Sequence, residues 1–183
     1  LPPPKGAGRF NYMTAVTEVD GELVEILDVE KILDEISPIN TEVSKELVAE
    51  SPKHDPHGRP VLVADDSSVA RKQVERALNT IGVKCLLAKD GKDALNMLND
   101  MAKKGPIEDQ ISLVISDIEM PEMDGYTLTA EIRNTPALRG LHIILHTSLS
   151  GVFNQAMVQK VGANNFIAKF NPDELAKAVQ DAM

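Results

Sequence analysis

The chain has 183 residues, of which 43% are hydrophobic and 26% charged, and it carries a net charge of -9 at pH 7. This length suffices for one sizeable domain plus a fragment, and the composition is that of a globular protein. The acidic balance, with no basic stripe in the sequence, excludes a nucleic-acid backbone as the direct partner. No apolar run reaches the ~18 residues of a membrane span, which argues against direct membrane insertion. The single cysteine, Cys85, rules out an internal disulfide, so we expect a reducing, cytoplasmic location.

Residues 11–36 predict a β-hairpin followed by a helix. NYMTAVTEV and ELVEIL alternate between apolar and polar positions, and Asp20-Gly21 between them is a preferred two-residue hairpin turn. Asp28 can cap a helix whose apolar residues share one face, namely Val29, Ile32, Leu33 and Ile36. Because a hairpin with a single helix is marginally stable alone, we interpret residues 1–37 as the end of a larger domain.

Residues 38–59 predict a linker. The stretch INTEVSKELVAE can form a short helix, whereas SPKHDPHGRP is rich in Pro, His and Gly and predicts an exposed, irregular segment. We therefore expect the second domain to occupy residues 60–183.

From residue 60 onward, short apolar runs alternate five times with segments of helical periodicity. The runs are VLVA, VKCLLA, ISLVIS, HIILH and NFIA, and the weakest helical pattern is YTLTAEIRN. Nearly continuous apolar runs are typical of strands covered on both faces, and strand–helix alternation predicts a parallel sheet with right-handed crossovers. The sequence therefore predicts an α/β domain with a doubly wound, five-stranded parallel sheet.

Polar residues follow four of the five apolar runs. Asp65 and Asp66 follow the first, Asp117 the third, Thr147 the fourth and Lys169 the fifth. Ligands of such sheets bind beyond the carboxyl ends of the strands, so we expect these side chains to converge. Carboxylates that share one edge need a cation among them, and their oxygens suit Mg²⁺. A lysine and a threonine can bind phosphate oxygens, and a strand-end carboxylate can attack phosphorus.

Each of these residues also has a simpler interpretation when it is taken alone. Asp65 and Asp66 could cap the helix that follows them, Thr147 could be a strand-end threonine, and Lys169 could be a surface lysine. What favours the functional interpretation is their joint placement, because every one of them stands at the expected end of a predicted strand.

Residues 60–183 resemble the receiver domain of two-component response regulators. The resemblance is carried by VLVADDS, ISLVISDIEMPEMDGYTL, LHTS and FIAK. It implies a flavodoxin-like sheet of strand order 2-1-3-4-5, and phosphorylation of Asp117 by a histidine kinase. It also implies that Asp66, Asp117 and the backbone carbonyl of Glu119 ligate Mg²⁺, with Asp65 acting through a metal-bound water.

The same resemblance implies a switch. Thr147 and Lys169 would hold phosphoryl oxygens, and the aromatic residue Phe166 would repack when Thr147 moves toward the phosphate. The surface formed by the helix after the fourth strand, the fifth strand and the last helix would then change shape. Three positions depart from the usual pattern: Phe170 replaces a cis-proline, Phe166 lacks a tyrosine hydroxyl, and Glu119 puts a carboxylate two places after the acceptor.

Residues 10–37 resemble the closing segment of a CheW-type coupling domain. A coupling domain followed by a receiver is the arrangement of the CheV family of chemotaxis scaffolds. This implies a regulatory adaptor, not an enzyme, which joins chemoreceptors, through a coupling domain that is mostly missing here, to the histidine kinase CheA. One alternative is a phosphate sink without adaptor output. A less favoured one is a Mg²⁺-dependent phosphatase of the haloacid-dehalogenase type, which requires Asp-x-Asp after the first strand, whereas this chain has Asp117-Ile118-Glu119 after the third.

Overall fold

The computed structural model describes residues 13–19, 21–27, 32, 43–44, 47–48, 58–147, 160–169 and 171–183. The chain divides into two compact units, Leu1–Ile39 and Asn40–Met183. Within the described residues, no helix is both long and apolar enough to cross a membrane.

The first unit contains the predicted antiparallel hairpin. Strands β1 (Met13–Val19) and β2 (Glu22–Leu27) pair with Val19 opposite Glu22. Gly21 in the turn has a φ of 83°, a conformation in which glycine is favoured because it has no Cβ. The helix predicted after the hairpin falls almost entirely outside the described residues.

The second unit contains the five predicted strands and four described α-helices. In chain order these elements are β3 (Val61–Ala64), α1 (Ser68–Thr80), β4 (Cys85–Ala88), α2 (Gly91–Ala102), a 3-10 turn (Ile107–Asp109), β5 (Leu113–Ser116), α3 (Gly125–Asn134), β6 (His142–Thr147), β7 (Asn165–Ala168) and α4 (Pro172–Ala182). The further helix predicted between the fourth and fifth apolar runs lies mostly on residues 148–159, which are outside the described part of the chain.

The five strands form one parallel sheet in the order β4-β3-β5-β6-β7. Numbered from β3, this is the predicted order 2-1-3-4-5, so the predicted doubly wound α/β fold is confirmed. Because the order reverses between β3 and β5, the carboxyl ends of these central strands border the crevice in which such sheets bind ligands.

Apolar side chains cover both faces of the sheet. On one face, Val61, Val63, Ile115 and Ile144 pack with residues of α1 and α4 such as Leu78 and Val179. On the other, Leu62, Val114 and Ile143 pack with residues of α2 and α3 such as Leu98 and Leu128. Burial on both faces explains why these strands are nearly continuous apolar runs in the sequence.

Every described α-helix begins at a side chain that accepts a hydrogen bond from the first turn. The side chain of Ser67 accepts from Ala70 N, that of Asp90 from Asp93 N, that of Asp124 from Thr127 N and that of Asn171 from Glu174 N. Such caps satisfy backbone N–H groups that would otherwise lack a partner, and they mark where each strand-to-helix loop ends.

Part of the predicted linker contributes to the core of the second unit. Val43 is only 5% exposed and belongs to the apolar cluster between the sheet, α1 and α4, while Leu47 and Val48 pack partly buried against that cluster. The other residues of 38–57 lie outside the described residues. The predicted domain boundaries stay a prediction.

His146, near the end of β6, is a buried histidine with 6% of its surface exposed. Burial, together with the positive charge of Lys169, lowers the pKa of this imidazole to about 3. In the unfolded chain the pKa is near 6.5, so the unfolded state binds a proton between these two pH values while the folded state does not. This contribution to stability is fully present above the unfolded pKa and is lost as the pH falls from about 6.5 toward about 3.

We therefore expect His146→Gln to reduce the acid sensitivity of folding. Between pH 7 and pH 5, the variant should lose about 2 kcal/mol less unfolding free energy than the parent chain, as measured by urea unfolding at both pH values. His142→Gln is the matched control on the same strand. The pKa of His142 is also lowered, by partial burial and then by Arg133, so its effect has the same sign and is smaller. An equal loss in the parent chain and in His146→Gln would contradict the expectation.

Candidate functional site

Three charged side chains meet at the carboxyl edge of the sheet. Asp65 directly follows β3, Asp117 follows β5 and Lys169 follows β7. The Lys169 Nζ lies 2.9 Å from Asp65 Oδ2 and 2.9 Å from Asp117 Oδ2. All three side chains are at least nine-tenths buried, so the two ion pairs are poorly screened by solvent. The structure thus brings together three of the five side chains that the strand ends predicted.

Burial and charge act against each other within this group. Burial raises the pKa of Asp65, and the opposing influence of Lys169 does not fully offset it. Burial would lower the pKa of Lys169, but the carboxylates of Asp65 and Asp117 together outweigh that and raise it. Lys169 therefore stays positive and is the cation that the acidic edge requires.

The acidic side chains of this edge form a group that fits a hard divalent cation. Asp65, Asp66 and Asp117 each offer one carboxylate oxygen, and these oxygens lie within 4.8 Å of one another. Asp66 is exposed while the other two are buried, so the group opens toward solvent on one side. A small set of carboxylates with an open side is the kind of site that Mg²⁺ prefers, because this ion keeps several of its waters.

The loop after β3 is held by the start of α1. Ser67 N donates to Asp65 Oδ1 at 2.9 Å, and Ser67 Oγ caps the helix by accepting from Ala70 N. Because Ser67 caps the helix, the carboxylates of Asp65 and Asp66 are not needed as caps and can take part in the acidic group. Arg71 donates through one guanidinium nitrogen to the backbone carbonyls of both aspartates. Arg71 was not predicted from the sequence, where its only signal is a basic residue in the first turn of a helix that follows two acids.

The position of Asp117 is determined by its backbone neighbours. Its N–H donates to Ala64 O at 2.8 Å, which continues the pairing of β3 with β5, and its Oδ1 accepts from Ile118 N at 2.7 Å. A Cβ placed on Gly125 would lie 2.1 Å from the carbonyl oxygen of Asp117. The glycine therefore allows the start of α3 to pass directly against the backbone of Asp117.

The turn between Asp117 and α3 is closed by local hydrogen bonds. Gly125 N donates to Ile118 O at 2.9 Å, Met123 N donates to Pro121 O at 2.6 Å, and Gly91 N at the start of α2 donates to Met123 O at 3.2 Å. Glu119 is exposed on this turn. The expected role of its backbone carbonyl as a metal ligand stays a prediction.

The two predicted switch residues lie on neighbouring strands. Thr147 ends β6 fully buried, and its carbonyl oxygen accepts from Lys169 N at 2.8 Å. Phe166 on β7 is partly buried and packs with a small cluster formed by Ile118 and Leu145 and their neighbours Tyr126, Val161 and Ala163. Ile118 directly follows Asp117, so this cluster adjoins the acidic site. Phe170, where a cis-proline was expected, lies outside the described residues.

Comparisons with known proteins agree with this geometry. The family model of the response regulator receiver domain matches residues 61–180. Chemotaxis protein CheV1 of Helicobacter pylori is 32% identical over 177 residues, which cover 95% of this chain and 53% of that protein. Protein PilG of Pseudomonas aeruginosa is 32% identical over 124 residues, which cover 67% of this chain and 86% of PilG. The chain spans about half the length of the CheV relatives that it matches.

Solved structures show the same fold. Chemotaxis protein CheY4 of Vibrio cholerae superimposes with a TM-score of 0.58 at 28% identity, covering 68% of this chain and 98% of that one. A response regulator of Chloroflexus aurantiacus superimposes with a TM-score of 0.60 at 26% identity, covering 68% of this chain and 96% of that one.

The contact between Gly125 and Asp117 leads to a prediction about stability. In Gly125→Ala the new methyl group clashes with the backbone carbonyl of Asp117, which cannot move away as a flexible side chain could. We therefore expect the free energy of unfolding, measured by urea unfolding, to fall by about 1–3 kcal/mol. Helix propensity alone predicts that this substitution raises the free energy of unfolding by about 1 kcal/mol. A measured increase would therefore contradict the expectation. Gly140→Ala is the control. Its Cβ meets only the end of the flexible Glu108 side chain at 2.9 Å, and its expected change is within about 0.5 kcal/mol.

Proposed function

Because the chain belongs to the response regulator receiver domain family, we propose that it is a phosphorylation-controlled signalling domain whose phosphoacceptor is Asp117. The observation that supports this most directly is the Lys169 ammonium, 2.9 Å from both Asp65 and Asp117. It places a fixed positive charge beside a buried carboxylate at the ligand-binding edge of the sheet. The family is regulatory and not catalytic, so the haloacid-dehalogenase alternative is excluded.

In the proposed reaction the donor is a phosphohistidine of a histidine kinase. A carboxylate oxygen of Asp117 attacks phosphorus, the phosphorus–nitrogen bond of the donor breaks, and the imidazole leaves with the electron pair. The bond that forms is an acyl phosphate on Asp117. Lys169 and Thr147 bind oxygens of the transferred group, so charge that develops on them is stabilised by groups already in position.

Mg²⁺ is the proposed cofactor, because the donor set consists of carboxylate oxygens. Asp66, Asp117 and the backbone carbonyl of Glu119 would hold the ion directly, and Asp65 would act through a bound water. When bound, the ion neutralises charge on the phosphoryl oxygens. The chain's own contribution is to hold the carboxylates together: Ser67 fixes Asp65, and Arg71 fixes the backbone from which Asp66 projects.

The proposed output is a repacking of Phe166. Phosphorylation adds negative charge beside Thr147, whose movement toward the phosphate would open room for the aromatic ring. The ring packs in the cluster that contains Ile118 and Leu145, so a change there reaches the surface around β7. Since Phe166 has no hydroxyl, it would signal through packing alone.

For the whole protein we propose a chemotaxis adaptor of the CheV type. The similarity to CheV1 extends over 95% of this chain and therefore into the segment before the receiver. In this proposal residues 1–37 are the C-terminal fragment of a CheW-like coupling domain, 38–59 a linker and 60–183 the receiver. The kinase would be CheA, and chemoreceptors would bind through the coupling domain. A phosphate sink without adaptor output is the alternative, and binding of the full-length protein to receptor arrays would distinguish the two.

Phosphorylation of Asp117 is testable by intact mass. With Mg²⁺ and acetyl phosphate, the parent chain should gain the mass of one phosphoryl group, and Asp117→Asn should gain none, because an amide oxygen is a much poorer nucleophile. Asp124→Asn is a suitable control, since this exposed aspartate caps α3 in the same loop and asparagine is an equally good cap. An adduct of equal yield in Asp117→Asn would refute the assignment.

Glu119 offers a prediction about the lifetime of the acyl phosphate. Its exposed carboxylate follows the acceptor by two positions, where it can disturb the approach of the hydrolytic water. We expect Glu119→Gln to change the dephosphorylation rate by a factor of about 2–10, the range of a 0.5–1.4 kcal/mol change in barrier. Phosphorus NMR of the decaying adduct gives the rate. Glu122 is a neighbouring exposed acid on the same turn, so Glu122→Gln should leave the dephosphorylation rate unchanged. An unchanged rate in Glu119→Gln would contradict the hypothesis.

A further inference from the structure

A short segment that precedes the receiver in sequence is built into its core. We define the connector turn as the described residues Val43, Ser44, Leu47 and Val48. Val43 has 5% of its surface exposed and belongs to the same apolar cluster as residues of α1 and α4, namely Val74, Ala77, Leu78, Leu175 and Val179. Leu47 and Val48 pack against the same cluster from the outside. The connector turn therefore covers apolar surface that α1 and α4 would otherwise expose to water.

A directional bond fixes the connector turn to the start of α4. Ser44 N donates to Asp173 Oδ1 at 2.7 Å, joining residues that are 129 positions apart in sequence. Val48 N donates to Ser44 O at 3.1 Å, and Val43, Leu47 and Val48 all pack with the same apolar cluster. This combination of a buried valine and a charge-assisted hydrogen bond is typical of a specific docking contact.

Asp173, the anchor of the connector turn, lies four positions after Lys169 along the chain. Asp173 lies in the first turn of α4, which begins at Pro172 and is capped by Asn171. Lys169 stands just before this cap, with its side chain on Asp65 and Asp117 and its N–H on the carbonyl oxygen of Thr147. The same short stretch of backbone therefore carries Lys169, which contacts the acidic site, and Asp173, which accepts the hydrogen bond from Ser44.

We propose that the surface between α1 and α4 is a docking site for the connector turn, and that phosphorylation of Asp117 weakens this docking through the first turn of α4. The proposal rests on the proposed function of Asp117. In the present structure Lys169 contacts a carboxylate oxygen of Asp117 while Ser44 of the connector turn is bonded to Asp173.

Phosphorylation of Asp117 displaces the ammonium of Lys169. A phosphoryl group on Asp117 occupies the space beside the carboxylate oxygen that Lys169 contacts, so the ammonium moves to a phosphoryl oxygen. Lys169 and Asp173 are four positions apart in sequence, so a movement of the chain at Lys169 acts on the first turn of α4. A hydrogen bond of 2.7 Å weakens when its acceptor shifts or turns, so the Ser44 contact loosens. Release of the connector turn frees additional chain between the two units, which is a means of changing how a preceding coupling domain is tethered.

Thermodynamic linkage makes the effect reciprocal. If phosphorylation weakens docking, then loss of docking favours phosphorylation by the same factor at equilibrium. The docked connector turn is in this sense a restraint on the switch. It also occupies the surface of α1 and α4, so a partner protein that used that surface would have to displace it.

Hydrogen–deuterium exchange of the complete chain tests the proposal. Peptides that span residues 40–50 should exchange about fivefold faster in Mg²⁺ plus acetyl phosphate than in Mg²⁺ alone, the factor expected from the loss of one net hydrogen bond. Intact mass on the same sample reports the adduct, and Asp117→Asn should show no acceleration. If the adduct forms and exchange is unchanged or slower, the docking proposal is overturned and the phosphoacceptor assignment stands. If no adduct forms, both the docking proposal and the assignment of Asp117 as phosphoacceptor are refuted.

Two substitutions at the anchor provide a second, independent test. Asp173→Ala removes the acceptor, so its 40–50 peptides should already exchange about fivefold faster without a phosphodonor, and added acetyl phosphate should accelerate them little further. Asp173→Asn keeps an acceptor oxygen in the same place and should exchange within about twofold of the parent chain. Equal exchange in Asp173→Ala and Asp173→Asn would overturn the role of this bond.

A final pair of variants tests the buried valine. Val43→Asp places a charge in the apolar cluster, so the midpoint of thermal unfolding of the second unit should fall by several degrees. Val24→Asp is the matched control, because Val24 lies in the hairpin and is 41% exposed. An unchanged midpoint in Val43→Asp would show that the connector turn does not dock and would overturn the proposal.

Discussion

Lys169 lies 2.9 Å from a carboxylate oxygen of Asp65 and 2.9 Å from one of Asp117, and the arrangement of the carboxyl edge depends on this bridge. Two buried acids without a cation would repel each other, and one of them would bind a proton. The bridge offsets this repulsion. It also joins the end of β7 to the ends of β3 and β5, so the charge on Asp117 acts on a residue that lies between the strand carrying Phe166 and the start of α4.

The backbone around the bridge is positioned by local contacts that leave little freedom. Asp117 is hydrogen bonded through its N–H and its carboxylate, and Gly125 lets α3 begin against its carbonyl. Ser67 and Arg71 hold the loop after β3 in a comparable way. On this edge one lysine contacts both acids at once, so a change of charge on either acid acts on the same ammonium.

The connector turn extends the consequences of this bridge beyond the five-stranded fold. Its anchor Asp173 and the bridging Lys169 lie on the same short stretch before and within the first turn of α4. Segments between domains are commonly treated as passive tethers. Here Val43 lies in the receiver's apolar core and Ser44 is bonded to the first turn of α4, which under the proposed docking links the state of the site to the attachment of this segment.

The sequence by itself determined the succession of strands and helices along the chain and the residues at the strand ends, since apolar runs and strand–helix alternation are local patterns that parallel sheets require. The order of the strands within the sheet was implied by the resemblance to receiver domains. From these, the convergence of Asp65, Asp117 and Lys169 could be predicted, because parallel strands end at one edge. Only the tertiary structure decided that Arg71 holds the loop after β3, that Gly125 is pressed against Asp117, and that Val43 is buried. The physical reason is the same in each case. These contacts join positions whose local sequence is compatible with several environments, and the choice among them is made by packing against elements that are distant along the chain.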